Sequence, residues 1–193
     1  MKPNHCMAIR DRLATGGAMR IAPLGAYFAD DLNKVIEQAT YSVEVSHTHP
    51  EAIAGGIAVA IATALAWQTR VSQIRLTKNE FLGRILQLLP ESQVRDVIHR
   101  AILLDADASL STVVSTLGNG SQTSTQDTVP FALWCVAKYM DNYEDALWYT
   151  VSGGGDVDTN CAIVGGIVAA NTDIPASWLQ SREPLPDWAI NIP

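Results

Sequence analysis

The feature that most constrains this sequence is an uninterrupted apolar stretch, AIAGGIAVAIATALAW, from Ala52 to Trp67. It is shorter than the roughly 20 residues that a membrane-spanning helix needs. It is also built from Ala, Gly and Ile, and small residues allow neighbouring helices to approach closely. A helix that is apolar on all sides is typical of a protein core. We therefore expect this stretch to form the central helix of a helical bundle, and we expect no membrane span.

Helical periodicity covers most of the remaining chain. Thr77 and Glu80 have the spacing of a capping box at the start of one helix. The residues 91–106 form an amphipathic run with the period of another. Further along, Asp127 is expected to cap a helix whose first turn contains Pro130. Each of these signals is local, so each predicts a helix without reference to the rest of the fold.

Strand patterns are missing from the sequence, since no segment alternates convincingly between apolar and polar residues. Hydrophobic residues make up 48% of the chain and charged residues 17%, which is the balance of a chain with a packed core. We therefore predict an all-α fold, a compact orthogonal multi-helix bundle of about eight helices. It would form a single domain over residues 1–193, with a Pro- and Trp-rich tail along the surface.

The charge and the cysteines restrict the classes of partner. The formal net charge of −7 gives no attraction to the phosphate backbone of a nucleic-acid duplex, although helix N-termini still bind small anions. Cys6, Cys135 and Cys161 are far apart and form no Cys-x-x-Cys pair, which is typical of reduced thiols. Because the N-terminus has no apolar leader segment, we expect a cytoplasmic location.

Two aspartates and a threonine stand together in the stretch GGGDVDTN, at Asp156, Asp158 and Thr159. An aspartate before a helix is a favoured N-cap. Two carboxylates and a hydroxyl are also hard oxygen ligands of the kind that bind Mg²⁺ or Mn²⁺. The residues alone leave the cap and the metal site as alternatives.

Two other stretches carry polar groups beside predicted helix starts. His47 and His49, in SHTHPEA, fit a weak metal pair, a packed helix junction, or a phosphate site completed by helix N–H groups. Gly16 and Gly17 suit a backbone pressed against a ligand or against another segment. Arg20 follows them and could neutralise a phosphate or pair with an acidic residue.

Four stretches in order are similar to one known family. GGAMRIAPLG, SHTHPEAIAGG, LGNGSQTSTQDTVPFALW and GGDVDTN, followed by an Ala- and Gly-rich helix and IPASW, resemble the ADP-ribosylglycohydrolase family. The resemblance runs from about Leu13 to Asp187. It implies an all-α fold, a binuclear Mg²⁺ or Mn²⁺ site, and hydrolysis of the glycosidic bond between ADP-ribose and a protein side chain or small acceptor. The implied partner is therefore ADP-ribose or an ADP-ribosylated protein.

The resemblance also assigns roles to residues. It makes His47 the contact to the diphosphate. The metal ligands that it implies are Asp156, Asp158 and Thr159. The residues that it places in a phosphate loop are Gly16 and Gly17. The loop that it places along the adenosine end is formed by Gly118, Asn119, Gly120 and Ser121.

The sequence departs from the family at its beginning. Family members carry an acidic residue near a Gly-Asp turn and a Thr-Asp-Asp motif ahead of the matched region, and this sequence has no Thr-Asp-Asp. We therefore expect the C-terminal two-thirds of such a domain, truncated at the N-terminus, with its catalytic residue unknown and its metal weakly bound or absent. An exposed apolar face is expected to favour self-association. The alternative to a hydrolase is an inactive remnant that binds ADP-ribose or nucleotide weakly, or an interaction subunit.

Overall fold

The computed structural model describes residues 15–184 and residue 186. Within them the chain forms ten α-helices, a 3-10 turn and no strand, so the predicted all-α class is confirmed. The 3-10 turn at Ala18–Arg20 is followed by α1 (Ala22–Tyr27), α2 (Leu32–Glu44), α3 (Pro50–Ser72), α4 (Lys78–Leu88), α5 (Gln93–Leu103), α6 (Leu110–Leu117), α7 (Thr125–Tyr139), α8 (Tyr143–Ser152), α9 (Val157–Asn171) and α10 (Ala176–Ser181).

Helix α3 lies at the centre of the bundle, as the apolar stretch predicts. Helices α1, α2, α7 and α9 all pack against it, and every residue from Ala54 to Ala66 is buried. The helix continues beyond the apolar stretch to 23 residues, which is long and apolar enough to cross a membrane. Because 83% of its most apolar window is buried inside the bundle, α3 has the character of a core helix.

Several helices begin at a residue whose side chain caps them. Asp31 caps α2 by accepting hydrogen bonds from the N–H groups of Asn33 and Lys34. The capping box of Thr77 and Glu80 is formed at the start of α4. Caps are set by a few adjacent residues, so they are readable without the tertiary structure.

Two predicted boundaries are wrong, and the count of about eight helices is too low. The two additional helices, α1 and α10, have six residues each, too few for a periodic pattern to identify. Helix α5 covers less than the predicted 91–106. It ends at Leu103, where the backbone of Leu104 becomes extended.

The start of α7 also differs from the prediction. The helix begins at Thr125 after extended Ser124, so Asp127 lies inside the first turn and Pro130 lies in the helix interior. The Asp127 side chain is engaged elsewhere, because its Oδ2 accepts a hydrogen bond from the N–H of Gln122 at 2.8 Å. Its carbonyl accepts one from the N–H of Gly120 at 2.9 Å. Asp127 therefore folds the preceding loop back onto the helix instead of capping it.

The remaining expectations concern cysteines and exposed apolar residues. Cys135 is buried and Cys161 half-buried, both as free thiols on helices, while Cys6 and the chain after Pro186 lie outside the described residues. Burial raises the pKa of the Cys135 thiol to about 12, so it remains an uncharged, apolar group. Exposed Trp67, Val71 and Ile74 line a pocket of about 360 Å³ at the end of α3. Self-association through such a surface stays a prediction.

Candidate functional site

Two loops that the sequence analysis singled out are joined by hydrogen bonds through Asn119. Its carbonyl accepts from the N–H of Asp156 at 3.1 Å and from the Nδ2 of Asn160 at 2.7 Å. Its own Nδ2 donates to the carbonyl of Gly153 at 3.0 Å, and its Oδ1 accepts from the N–H of Ser121 at 3.2 Å. The residues 118–121 before α7 and 153–156 before α9 therefore form one unit, which we call the loop junction.

Glycine is required in the loop junction because the two backbones touch. A Cβ atom on Gly155 would lie 2.1 Å from the carbonyl oxygen of Asn119, and the φ of Gly155 is +70°. A Cβ on Gly120, where φ is +87°, would lie 2.7 Å from the Cβ of Asp156. Positive φ values are strained for residues with a side chain, and contacts this short leave no room for one.

The two aspartates of the motif have different structural roles. Asp156 is the N-cap of α9, and its Oδ1 accepts from the N–H of Thr159 over a long 3.4 Å. Asp158 is exposed and does not cap the helix. A hydrogen bond with the side chain of Asp156, together with backbone N–H groups, holds the pKa of Asp158 below its usual range. Helix capping therefore explains Asp156, but it does not explain why a second carboxylate stands beside it.

The chemistry of these side chains fits a hard cation only in part. Two adjacent carboxylates and the hydroxyl of Thr159 are oxygen donors of the type that Mg²⁺ and Mn²⁺ prefer. Within residues 15–184, however, no group of three or more His, Cys, Asp or Glu side chains is close enough to hold a metal ion. Mg²⁺ commonly uses one or two carboxylates and completes its shell with water and substrate oxygens. The motif therefore has the oxygen donors that one such ion would take.

His47 forms a separate group with the glycines before the 3-10 turn. A Cβ on Gly16 would lie 2.8 Å from the Cε1 of His47, so the imidazole lies directly against the Gly16 backbone. Gly17 is buried and approaches Val43 in the same way. The pKa of His47 lies below its usual value, mainly because the ring is partly buried and to a smaller extent because the Arg20 charge is nearby. His47 is therefore a neutral imidazole at pH 7.

His49 and Arg20 both bind neighbouring protein groups in the described residues. His49 caps α3, because its Nδ1 accepts from the N–H of Glu51 at 3.1 Å. The guanidinium of Arg20 binds no acidic residue in the described chain. It donates to the carbonyls of Gly16 and Ser42 and to the hydroxyl of Ser46.

A polar pocket of about 310 Å³ adjoins the loop junction on the side of α5. The lining includes Gly118, Gln122 and Gln126 from the loop and α7, and Gln93, Asp96 and Arg100 from α5. The start of α5 is tied to α3, because the buried carboxylate of Glu51 accepts from the N–H groups of Gln93 and Val94 at 2.8 and 3.0 Å. These hydrogen bonds fix the α5 wall of the pocket against α3.

Two buried amide oxygens near these features lack a partner within the described residues. They are the Oδ1 of Asn160, beside the Asp motif, and the Oε1 of Gln126, at the pocket. Buried acceptors are nearly always hydrogen-bonded in native proteins. An unpartnered acceptor therefore indicates where a ligand or a water molecule would donate.

The histidine group and the loop junction are connected through the central helix. Gly55 lies in the second turn of α3, and its Cα approaches Thr125 at the start of α7 so closely that a Cβ would lie 1.8 Å from the methyl group.

The sequence model of the ADP-ribosylglycohydrolase family matches residues 3–192 of the chain. The chain belongs to the ADP-ribosylglycohydrolase family.

Proteins with similar sequences include two that are named ADP-ribosylhydrolases. An uncharacterised protein of Archaeoglobus fulgidus is 33% identical over 183 residues, which cover 92% of this chain and 57% of the relative. The ADP-ribosylhydrolase ARH3 of Mus musculus is 30% identical over 87% of this chain and 52% of its own length, and that of Homo sapiens is 29% identical over 87% and 53%. The chain thus spans about half the length of the curated relatives that it matches.

Some residues of the candidate site were not identified from the sequence. Asn160 and the α5 side of the pocket, with Gln93, Asp96 and Arg100, carry no motif. The spacing of the three α5 residues places them on one helix face, but only the packing of α5 beside the loop gives that face a role. Ser46, which bridges Arg20 and His47, was likewise missed.

Proposed function

We propose that this chain forms the ADP-ribose-binding and metal-binding part of an ADP-ribosyl hydrolase. The reaction would be hydrolysis of the glycosidic bond that joins ADP-ribose to a protein side chain or a small acceptor. The observation that carries the proposal is the loop junction, in which the Asp motif and the Gly118–Ser121 loop are hydrogen-bonded through Asn119. The pair of carboxylates is thereby joined, through Asn119, to the loop whose Gly118 lines the polar pocket.

Each part of the site would contact a different part of ADP-ribose. The Gly118–Ser121 loop and the pocket against α5 would take the adenosine end, with the Oε1 of Gln126 as a free acceptor. His47, with the backbone of Gly16 and Gly17, would face the diphosphate. Helix N-termini and backbone N–H groups suit an anionic ligand in a chain of net charge −7.

The Asp motif would hold Mg²⁺ or Mn²⁺ through Asp156, Asp158 and Thr159. Such a cation, when bound, supplies Lewis acidity that orients the ribose hydroxyls and favours attack by water. The chain's own contribution is to fix the two carboxylates at the start of α9 and to keep the glycosidic end of the ligand beside them. The acid or base that moves the proton is not among the residues that we assign.

Release of free ADP-ribose from an ADP-ribosylated peptide tests the proposed reaction. We expect the 193-residue chain to release ADP-ribose from a serine- or arginine-linked peptide in the presence of Mg²⁺, and the Asp158→Asn variant to release none. Chromatography of the free nucleotide against an enzyme-free blank is the measurement. Release at equal rates by both proteins would contradict the assigned role of the motif.

One observation favours a second function, the binding of ADP-ribose without hydrolysis. In the described residues only two acidic groups come together at the site. Such a site would bind ADP-ribose without hydrolysing the bond to its acceptor. Saturable ADP-ribose binding without release from either peptide would favour this binding function over the hydrolase.

A further inference from the structure

The His47 imidazole is connected to a charged side chain through a serine hydroxyl. Arg20 is held by three hydrogen bonds, from Nη1 to the carbonyl of Gly16 at 3.1 Å, and from Nη2 to the carbonyl of Ser42 at 3.1 Å and the Oγ of Ser46 at 2.7 Å. The same Oγ lies 2.7 Å from the Nδ1 of His47. The side chains therefore form a continuous chain from Arg20 through Ser46 to His47.

The direction of each hydrogen bond follows from the donor inventory. A guanidinium only donates, so the Ser46 hydroxyl accepts from Arg20. That hydroxyl still has one proton to give, and the Nδ1 of His47 is its only side-chain neighbour besides Arg20 within the described residues. If Nδ1 carried a proton instead, the serine proton would have no acceptor among these three side chains. The three side chains satisfy one another only when Nδ1 accepts.

We propose that Arg20 and Ser46 are positioning residues that hold His47 in the neutral tautomer with its proton on Nε2. The proposal rests on the proposed function, in which His47 faces the diphosphate of ADP-ribose. In this tautomer His47 presents an N–H donor to an anionic oxygen, which is a strong, charge-assisted hydrogen bond. The opposite tautomer would turn a lone pair toward the anion.

The position of the ring agrees with this role. The Nε2 of His47 would lie 3.1 Å from a Cβ on Gly16, so this edge of the ring faces the predicted phosphate loop. Within the described residues, Nε2 has no hydrogen-bond partner, whereas Nδ1 has Ser46. Burial and the nearby Arg20 charge lower the pKa of His47, which agrees with a neutral ring.

Nitrogen NMR of the ¹⁵N-labelled full-length chain tests the tautomer without any ligand. The chain has four histidines, and a His47→Gln variant assigns the signals of His47. We expect two widely separated nitrogen signals with the proton on Nε2. In Ser46→Ala the two signals should approach each other, because the imidazole then exchanges between tautomers. Ser46→Thr, which keeps a hydroxyl, should restore the separation.

Ser42→Ala is the matched control, because Ser42 lies one turn earlier and meets Arg20 only through its carbonyl. It should leave the His47 signals unchanged. A proton on Nδ1 in the unaltered chain, or a Ser46→Ala spectrum identical to that of the unaltered chain, would overturn the proposal.

Calorimetric titration with ADP-ribose then gives the functional consequence. We expect Ser46→Ala to weaken ADP-ribose binding about fivefold, the effect of losing one well-oriented hydrogen bond, and Ser46→Thr to recover it. Equal affinity of Ser46→Ala and the unaltered chain would contradict the positioning role. If the unaltered chain does not bind ADP-ribose, the proposed function fails, while the NMR spectrum still decides the tautomer.

Discussion

The double variant Asp156→Asn, Asp158→Asn is expected to bind Mn²⁺ at least about 100-fold more weakly than the unaltered chain, with little loss of stability. Asparagine is as good an N-cap as aspartate, so the start of α9 should remain intact. The substitution removes only the two negative charges that would attract a cation. Calorimetric titration with Mn²⁺, alongside the thermal unfolding midpoint of each protein, measures both quantities.

Asp31→Asn provides the matched control for this prediction. Asp31 is also an N-cap, with hydrogen bonds from Asn33 and Lys34 at the start of α2. Its replacement should change neither Mn²⁺ affinity nor ADP-ribose binding. If the double variant binds Mn²⁺ as tightly as the unaltered chain, the motif acts as a helix cap and the metal assignment is wrong.

Gly155→Ala should destabilise the fold by about 3 kcal/mol or more and also eliminate ADP-ribose binding. The new methyl group would lie 2.1 Å from the Asn119 carbonyl oxygen, and a φ of +70° is strained for alanine. Backbone atoms on both sides prevent a small adjustment. The loop junction would have to open, which separates the Asp motif from the Gly118–Ser121 loop. Urea unfolding gives the free-energy change.

Gly83→Ala is the opposite case, within the same chain. Gly83 lies in α4 with no atom within 4 Å of the position that its Cβ would take. Alanine is the better helix former, so we expect a gain of about 0.5–1 kcal/mol. A Gly155→Ala protein as stable as the Gly83→Ala protein would show that the loop junction is not a tight contact.

Local signals account for the parts of the fold that the sequence predicts well. The apolar stretch has no polar face for solvent, so it predicts a helix surrounded by other helices. In the structure α3 is buried from Ala54 to Ala66. Caps such as Asp31 and the Thr77 capping box depend on residues three positions apart. The start of α7 was misplaced because the Asp127 side chain accepts from Gln122, a contact that competes with capping. Residue propensities do not tell whether an aspartate will cap a helix or will bind a nearby loop N–H group.

The motifs of the candidate site could be predicted from the sequence, but the hydrogen bonds that join them could not. The Asp motif stands at a helix start, as its glycines and the following apolar run indicate. The hydrogen bond that joins Asn119 to Gly153 links residues 34 positions apart, and no sequence spacing encodes it. An acidic partner was one of two alternatives for Arg20, but in the described residues its guanidinium donates to two carbonyls and to Ser46. Such bonds depend on how α2 lies beside the 3-10 turn.

Calorimetric titration of the 193-residue chain with ADP-ribose, with and without Mg²⁺, tests most directly whether the loop junction is a metal-assisted ADP-ribose site. We expect saturable binding with one ADP-ribose per chain, and a clearly higher affinity when Mg²⁺ is present. Absence of binding in both conditions by a folded chain would contradict the site itself. Equal affinity in both conditions would contradict the role of Asp156, Asp158 and Thr159 as ligands of the metal.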